Sequence, residues 1–290
     1  MSEEAVLELF ELEVLGGNSE KKYRKMRPDI EQLPWDSLSI EGLPSNTIEA
    51  ARKAWTSMAF QEFRTAAACS QTLSTLIEAR APIDLIALLS RFCIDEMVHV
   101  ELCARVTTQL GGAVELAYNP KELTHDFNQY NDSIVKSAHM IVAYFCVGEA
   151  LSIPLLHHSS LAATQPLMKQ VLRTIVKDEA DHGTFGWQFL EWASPFLSEQ
   201  DKIALGETAP KFITSAQATW LELESKSEQQ IEQANDLGWM GLDEYLKLAR
   251  QSLIKQVLEP LQQHGIKPIL NNEQKSNENV NPISAQIVLS

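Results

Sequence analysis

Glycine and proline are sparse in this 290-residue chain, and they divide it into long helical stretches rather than short strands. Ser45 or Asn46 is placed to cap a first long helix, A, running to about Arg80 with Glu49 in its first turn. Pro82 suits the first turn of helix B, which the Gly111-Gly112 pair stops. Residues of mixed polarity lead to about Tyr130 as a connection. Helix C then spans about 131–163 and should bend at Pro154, which has no N–H to give to the carbonyl of Ala150. Pro166 opens helix D, which reaches about Ala193, and two more helical patterns cover roughly 198–233 and 241–263. There is no alternating strand-like run of useful length, no glycine-rich phosphate loop and no GxSxG elbow. The expected fold class is all-α.

Residues 1–45 read as an N-terminal extension: a short acidic helix, "EEAVLELFELEVL", and then a basic, proline-containing connection, "KKYRKMRPDIEQLPW". Residues 46–195 hold the four long helices, 196–268 add helices packed on them, and the polar segment 269–290 reads as a flexible tail. A net charge of -15 argues against nucleic acid or an anionic membrane as partner, because both would repel the chain. The acidic start "MSEEAVLELF" lacks the form of a secretory signal. The most apolar stretch, "MIVAYFCVGEALSIPLL", carries Glu149 and Pro154 and reads as a buried helix rather than a membrane span. Cys69, Cys93, Cys103 and Cys146 form no CxxC pair, so reduced thiols in a cytoplasmic protein are expected.

Two short segments carry the chemistry. "IDEMVHVEL" (94–102) and "VKDEADHGTF" (176–185) each contain Asp-Glu-x-x-His. On a helix, a three-residue step leaves two side chains about 60° apart and about 4.5 Å apart along the axis, so each Glu and His can converge on one point. Each pair also has a glutamate upstream: Glu62 lies 34 residues before Glu96, and Glu149 lies 30 before Glu179. Glu62 and Glu96 stand 19 and 15 residues from the turn at Ala81, and Glu149 and Glu179 stand 16 and 14 from Gln165. In two antiparallel hairpins those counts bring all four levels to about the same height.

From this composition one Asp-Glu-x-x-His is expected about 0.03 times by chance, so a single copy would mean little. Two copies, each with its upstream glutamate, would arise well under about once in a thousand such chains. Solvated helix-face residues are the bland alternative. Glu149 weighs against it, because "AYFCVGEALSIPLL" offers no charged neighbour, and an unpaired buried carboxylate is costly. Two divalent ions carry +4, four carboxylates balance them, and one imidazole per metal gives an N/O set that suits iron or manganese better than magnesium.

On these residues the chain resembles the ferritin-like di-iron carboxylate superfamily over about 47–195. The resemblance implies a ferritin-like four-helix bundle with one long crossover, supplied by 112–130. It makes Glu62 and Glu149 terminal ligands, Glu96 and Glu179 bridges, and gives His99 and His182 one metal each. Asp95 and Asp178 match the aspartates that commonly accept the far imidazole N–H, which pairs Asp95 with His182 and Asp178 with His99. The implied cofactor is two Fe ions, with Fe/Mn or Mn as variants. The implied function is a dioxygen-dependent oxidase or oxygenase acting on a small organic substrate with a separate electron donor; a homodimer is compatible with it.

Within the superfamily, rubrerythrin-type peroxidases add paired CxxC motifs, which this chain lacks, and ferritins lack the roughly 95 residues after helix D. Ribonucleotide reductase radical subunits separate their hairpins by more than the 50 residues between His99 and Glu149. Aldehyde-deformylating oxygenases have similar ligand spacing. The p-aminobenzoate N-oxygenase type resembles the chain in ligand order but keeps a third histidine where Ile175 stands here. The alternatives are a ferroxidase, metal-storage or peroxide-scavenging protein, and a non-catalytic helical interaction protein.

Other residues have plainer readings. Glu101 and Asp181, each two past a ligand, are expected at the surface, and His139, His157 and His158 are expected hydrogen-bonded or exposed. Cys69, Cys103, Trp55, Met58, Phe92, Phe145 and the Ala66–Ala68 run read as core that could border a pocket, and Tyr144 as an ordinary tyrosine.

Overall fold

The computed structural model of the protein describes residues 7–225 and 235–268. Among them the fold is all-α. A two-residue strand, β1 (Glu8–Leu9), and a short helix, α1 (Gly17–Arg24), precede four long rods. The rods are α2 (Ser45–Glu78), α3 (Ile83–Gln109), a composite of α4 (Ser133–Ile141), a π-helical segment Val142–Glu149 and α5 (Ala150–Ala162), and α6 (Pro166–Ala193). Helix α2 packs on α3 and α4, while α6 packs on α3 and on all three parts of the composite rod, so the four rods close into a ring.

Local chemistry sets the ends. Arg80 takes a left-handed φ of 52° in the α2–α3 turn, and Gly111 and Gly112 (φ 102° and 107°) end α3. Arg52 secures that end by donating to the carbonyls of Gly112 (2.6 Å) and Ala113 (3.1 Å). Asp132 caps α4, its carboxylate accepting from the N–H groups of Ile134 (2.8 Å) and Val135 (3.1 Å). The Gln165 side chain caps α6 through Met168 N–H at 2.9 Å.

Two expectations need correction. Neither Ser45 nor Asn46 caps α2: Pro44, extended at φ -59° and ψ 140°, already turns the chain, which leaves Ser45 inside the helix. Glu49 falls past the first turn and pairs with Lys53 at 2.7 Å. In the third rod a π-helical segment, Val142–Glu149, precedes Pro154, and α5 runs on through the proline.

Residues 7–15, expected within an acidic helix, are not helical; Glu8–Leu9 form β1, antiparallel to β2 (Ala117–Tyr118), and the rest has no regular structure. Phe10 decides this. Its N–H donates to the Leu116 carbonyl at 2.8 Å, and its ring lies 5.2 Å from Phe60 and 5.4 Å from Phe63. Packing that half-buried ring outweighs a weak local helix preference. The rest of that expected helix, residues 3–6, lies outside the described residues.

Two apolar cores fill the ring. One gathers Cys69 and Leu76 from α2, Leu85 to Phe92 from α3, and Phe185 to Ala193 from α6. The other gathers Ala51 to Ala59, Val98 to Leu110 and Leu167 to Ile175 from the same helices. Along α2, α3 and α6 the boundary falls at the expected ligand positions, so a polar layer crosses the middle of the bundle. Glycines let α6 approach the composite rod there: a Cβ on Gly186 would lie 2.8 Å from Cys146 Sγ, and one on Gly183 2.8 Å from Ile153 Cδ1.

The stretch Ser133–Ala162 is long and apolar enough to cross a membrane, but 61% of its most apolar window is buried within the fold. Helices α7 (Glu199–Ser225) and α8 (Leu242–Ser252), the π-helical Leu253–Leu258 and α9 (Glu259–Gln263) follow. Helix α7 packs on α4 and the first π segment, and α8 packs on α5. Part of the expected 198–233 helix and the 269–290 tail lie outside the described residues.

Candidate metal centre

All six expected ligands are buried and meet in the polar layer. Donor atoms from Glu62, Glu96, His99 and Glu179 lie within 4.8 Å of one another, and so do donor atoms from Glu96, Glu149, Glu179 and His182. The two groups share Glu96 and Glu179. On the first side, His99 Nδ1 lies 3.4 Å from Glu62 Oε2, 3.7 Å from Glu96 Oε2 and 3.3 Å from Glu179 Oε1. On the second, His182 Nδ1 lies 3.0 Å from both Glu96 Oε1 and Glu179 Oε2. Both imidazoles therefore turn Nδ1 inward.

The donors fit a pair of cations. Both Glu96 oxygens, Glu179 Oε2 and the Nδ1 atoms of both histidines are buried without a hydrogen-bond partner. Buried polar atoms are ordinarily satisfied, and orphans concentrated in one layer point to a missing partner. A donor set of carboxylate oxygens and imidazole nitrogens suits iron, manganese or zinc.

Electrostatics agree. Burial, with Glu96 and Glu179 nearby, pushes the Glu62 carboxyl up to about 8 against the contrary pull of His99. Burial and the neighbouring carboxylates also raise Glu149 well above the usual range. Burial opposes a charged ring at His182, yet the carboxylates of Asp95, Glu179 and Glu96 outweigh it and push that imidazole up to about 12. His99 is raised in the same way, chiefly by Asp178 and Glu179 acting against burial. Burial works against ionised Glu179, but the two histidines hold it down at about 2.

Behind the ligands, Asp178 Oδ2 lies 3.4 Å from His99 Nε2. Asp95 Oδ2 faces His182 Nε2 at 3.9 Å, too long for a hydrogen bond. Both aspartates also meet a residue of the extension that sequence reasoning passed over. Arg27 Nη1 lies 3.2 Å from Asp95 Oδ1 and 2.7 Å from Asp178 Oδ2. The one available signal was a basic run, "KKYRKMR", in a chain of net charge -15. The π-helical turn ending at Glu149 was missed as well; such turns often mark functional positions.

The remaining expected residues divide. Phe92 covers His182, with ring centroids 3.9 Å apart, and Phe185 and Phe145 extend that apolar wall. The Cys69 thiol is raised by burial and by Glu96 and Glu149; the Cys103 thiol is raised by burial and Glu62. Ala66 and Ala68 are buried, and Met58 and Ile175 belong to the second core. Trp55 donates its indole N–H to the Leu237 carbonyl at 2.9 Å. The Tyr144 hydroxyl bonds Gln71 (2.7 Å) and accepts from His125 N–H (3.1 Å), fastening the connection to α2.

His139 is buried, bonded to Thr208 at 2.7 Å and stacked on Tyr130; His158 meets Glu244 at 2.7 Å, and His157 is exposed. Asp181 is exposed, as expected of a surface residue. Glu101 is the correction: its side chain is only 13% exposed, paired with Arg24 and, at 3.6 Å, with Arg105. The extension covers that face of α3, which spacing along α3 alone could not reveal.

Comparison with protein-family models, curated proteins and solved structures returns no match for this chain.

Proposed function

We propose that this protein is a ferritin-like, dinuclear non-haem iron oxidase or oxygenase that uses dioxygen to oxidise a small organic substrate, with electrons from a separate donor. The observation that carries the reading is the pair of interlocking four-donor groups sharing Glu96 and Glu179. Glu62 and His99 would hold one ion, Glu149 and His182 the other, and Glu96 and Glu179 both. When bound, an iron pair supplies electrons for dioxygen reduction.

The chain's own residues do the rest. Asp178 orients the His99 ring through Nε2, which keeps Nδ1 turned inward. Phe92, Phe145 and Phe185 exclude water from the His182 side. The Glu149 carboxylate accepts from the Ser152 hydroxyl at 3.4 Å, a long contact that leaves it weakly tethered.

The test is to load the protein anaerobically with Fe(II) and then admit oxygen. The proposal expects two irons per chain, oxygen consumption, and an Fe(III) absorption that stays with the protein after desalting. Released or mineralised Fe(III) would assign ferroxidase activity instead. No iron uptake would sink both readings.

A further inference from the structure

We propose that Arg27, from the N-terminal extension, is a positioning residue for the metal centre: one guanidinium nitrogen ties Asp95 and Asp178 together, and thereby steadies the carboxylate that orients His99 and places the one that faces His182. The inference rests on the dimetal reading of the buried cluster. Arg27 Nη1 sits 3.2 Å from Asp95 Oδ1 and 2.7 Å from Asp178 Oδ2, and its side chain is 16% exposed. The other oxygen of Asp95 faces His182 at 3.9 Å, while the Asp178 oxygen that Arg27 contacts is the one 3.4 Å from His99. A single atom is thus one carboxylate away from each of the two histidines.

The guanidinium is itself held from behind. Asp29 accepts from Nε at 3.1 Å and from Nη2 at 3.0 Å, a two-pronged contact that sets the plane of the fork. Arg91 also reaches Asp95, at 3.1 Å, but its side chain is 54% exposed, so solvent weakens its hold. Charge balance gives the pair a further role. Two divalent ions would offset the four glutamates, and Arg27 and Arg91 place positive charge against the two buried aspartates that remain.

The extension is docked independently of this contact. Glu31 pairs with Arg24 at 3.3 Å and with Arg105 at 2.9 Å, and Tyr23 donates to the Met97 carbonyl at 3.2 Å. Docking and positioning can therefore be separated by mutation.

The test is Co(II) titration of the full chain, read by calorimetry and by the visible bands that report cobalt's ligand geometry. The wild type should take up two Co(II). Arg27→Gln should weaken that binding by about tenfold to a hundredfold, the usual effect of losing a partner behind a metal ligand, and should shift the bands. Arg27→Lys should recover part of the loss, because an ammonium can lie between the two aspartates without also holding Asp29. Glu31→Gln should lower the melting temperature and leave Co(II) affinity unchanged. If Arg27→Gln does not fold, surface Asp29→Asn serves in its place, because it frees the guanidinium and should weaken binding several-fold. Wild-type affinity and bands in Arg27→Gln, or in the substitute variant, would overturn the proposal, as would a Glu31→Gln protein that loses as much affinity as Arg27→Gln. Failure of the wild type to bind Co(II) would instead remove the dimetal reading, and the positioning role with it.

Discussion

Glu96 and Glu179 face each other across the bundle in the same way: each gives one carboxylate oxygen to the His99 side and the other to the His182 side. Glu62 and Glu149 each belong to one side alone. Variants should follow that division. Glu149→Ala or His182→Ala should reduce loading from two metals per chain to at most one, whereas Glu179→Ala should weaken both sites. Metal analysis after gel filtration distinguishes the patterns, and two metals retained in Glu149→Ala would refute the ligand set.

A cation bound in this layer would have to displace protons from it. Without metal, burial pushes Glu62 up to about 8, against roughly 4.3 for a free glutamate, and the surrounding carboxylates push His182 up to about 12, against about 6.5. Raised folded-state values stabilise the fold below the unfolded values and lose that contribution as pH rises through the folded ones. Glu179, lowered to about 2, acts oppositely: its contribution is present above about 4.3 and is lost as pH falls toward 2. The stripped protein should therefore melt at a lower temperature at pH 8.5 than at pH 6. Divalent metal should reverse this, because binding displaces protons and strengthens as pH rises. Circular-dichroism melts with chelator and with Mn(II) check both signs; a stripped protein that melts higher at pH 8.5 would contradict them.

The four rods and their ligand levels were legible in the sequence because helical period and punctuation are local signals. Pro82, Gly111-Gly112 and Pro166 mark real boundaries, and once those are fixed, the register of Glu62, Glu96, Glu149 and Glu179 follows from counting. What was not legible depends on distant partners. Phe10 draws the segment 7–15 out of a helix and against Phe60 and Tyr118, contacts that no local pattern encodes. Arg24 and Arg27 meet residues of α3 and α6 far along the chain, so Glu101 looked like a surface residue and the extension looked incidental. The π-helical Val142–Glu149 lies in a uniformly apolar stretch whose pattern does not distinguish it from an α-helix.

Close helix packing supports the site. At Gly186 a methyl group would stand 2.8 Å from Cys146 Sγ and 3.0 Å from Phe145 Cβ. Gly186→Ala should push α6 from the π-helical segment and destabilise the protein by roughly 1–3 kcal/mol, as overpacking does. Urea unfolding measures the loss; an unchanged midpoint would show that the rods can separate without cost.

The loss of Asp132 should act only on stability. Asp132→Ala removes the cap of α4 and should cost about 1 kcal/mol, while metal content stays at the wild-type level. Paired melting and metal analysis would expose a link to the centre if both fell.

The most direct measurement is an anaerobic Fe(II) titration of the wild-type protein, with bound iron quantified after removal of excess. If Glu96 and Glu179 are shared between two ions, as the proposal holds, two irons should bind per chain and be lost together when either residue is replaced by alanine. Saturation at zero or one iron, or two irons retained without Glu96, would contradict a centre built on shared carboxylates.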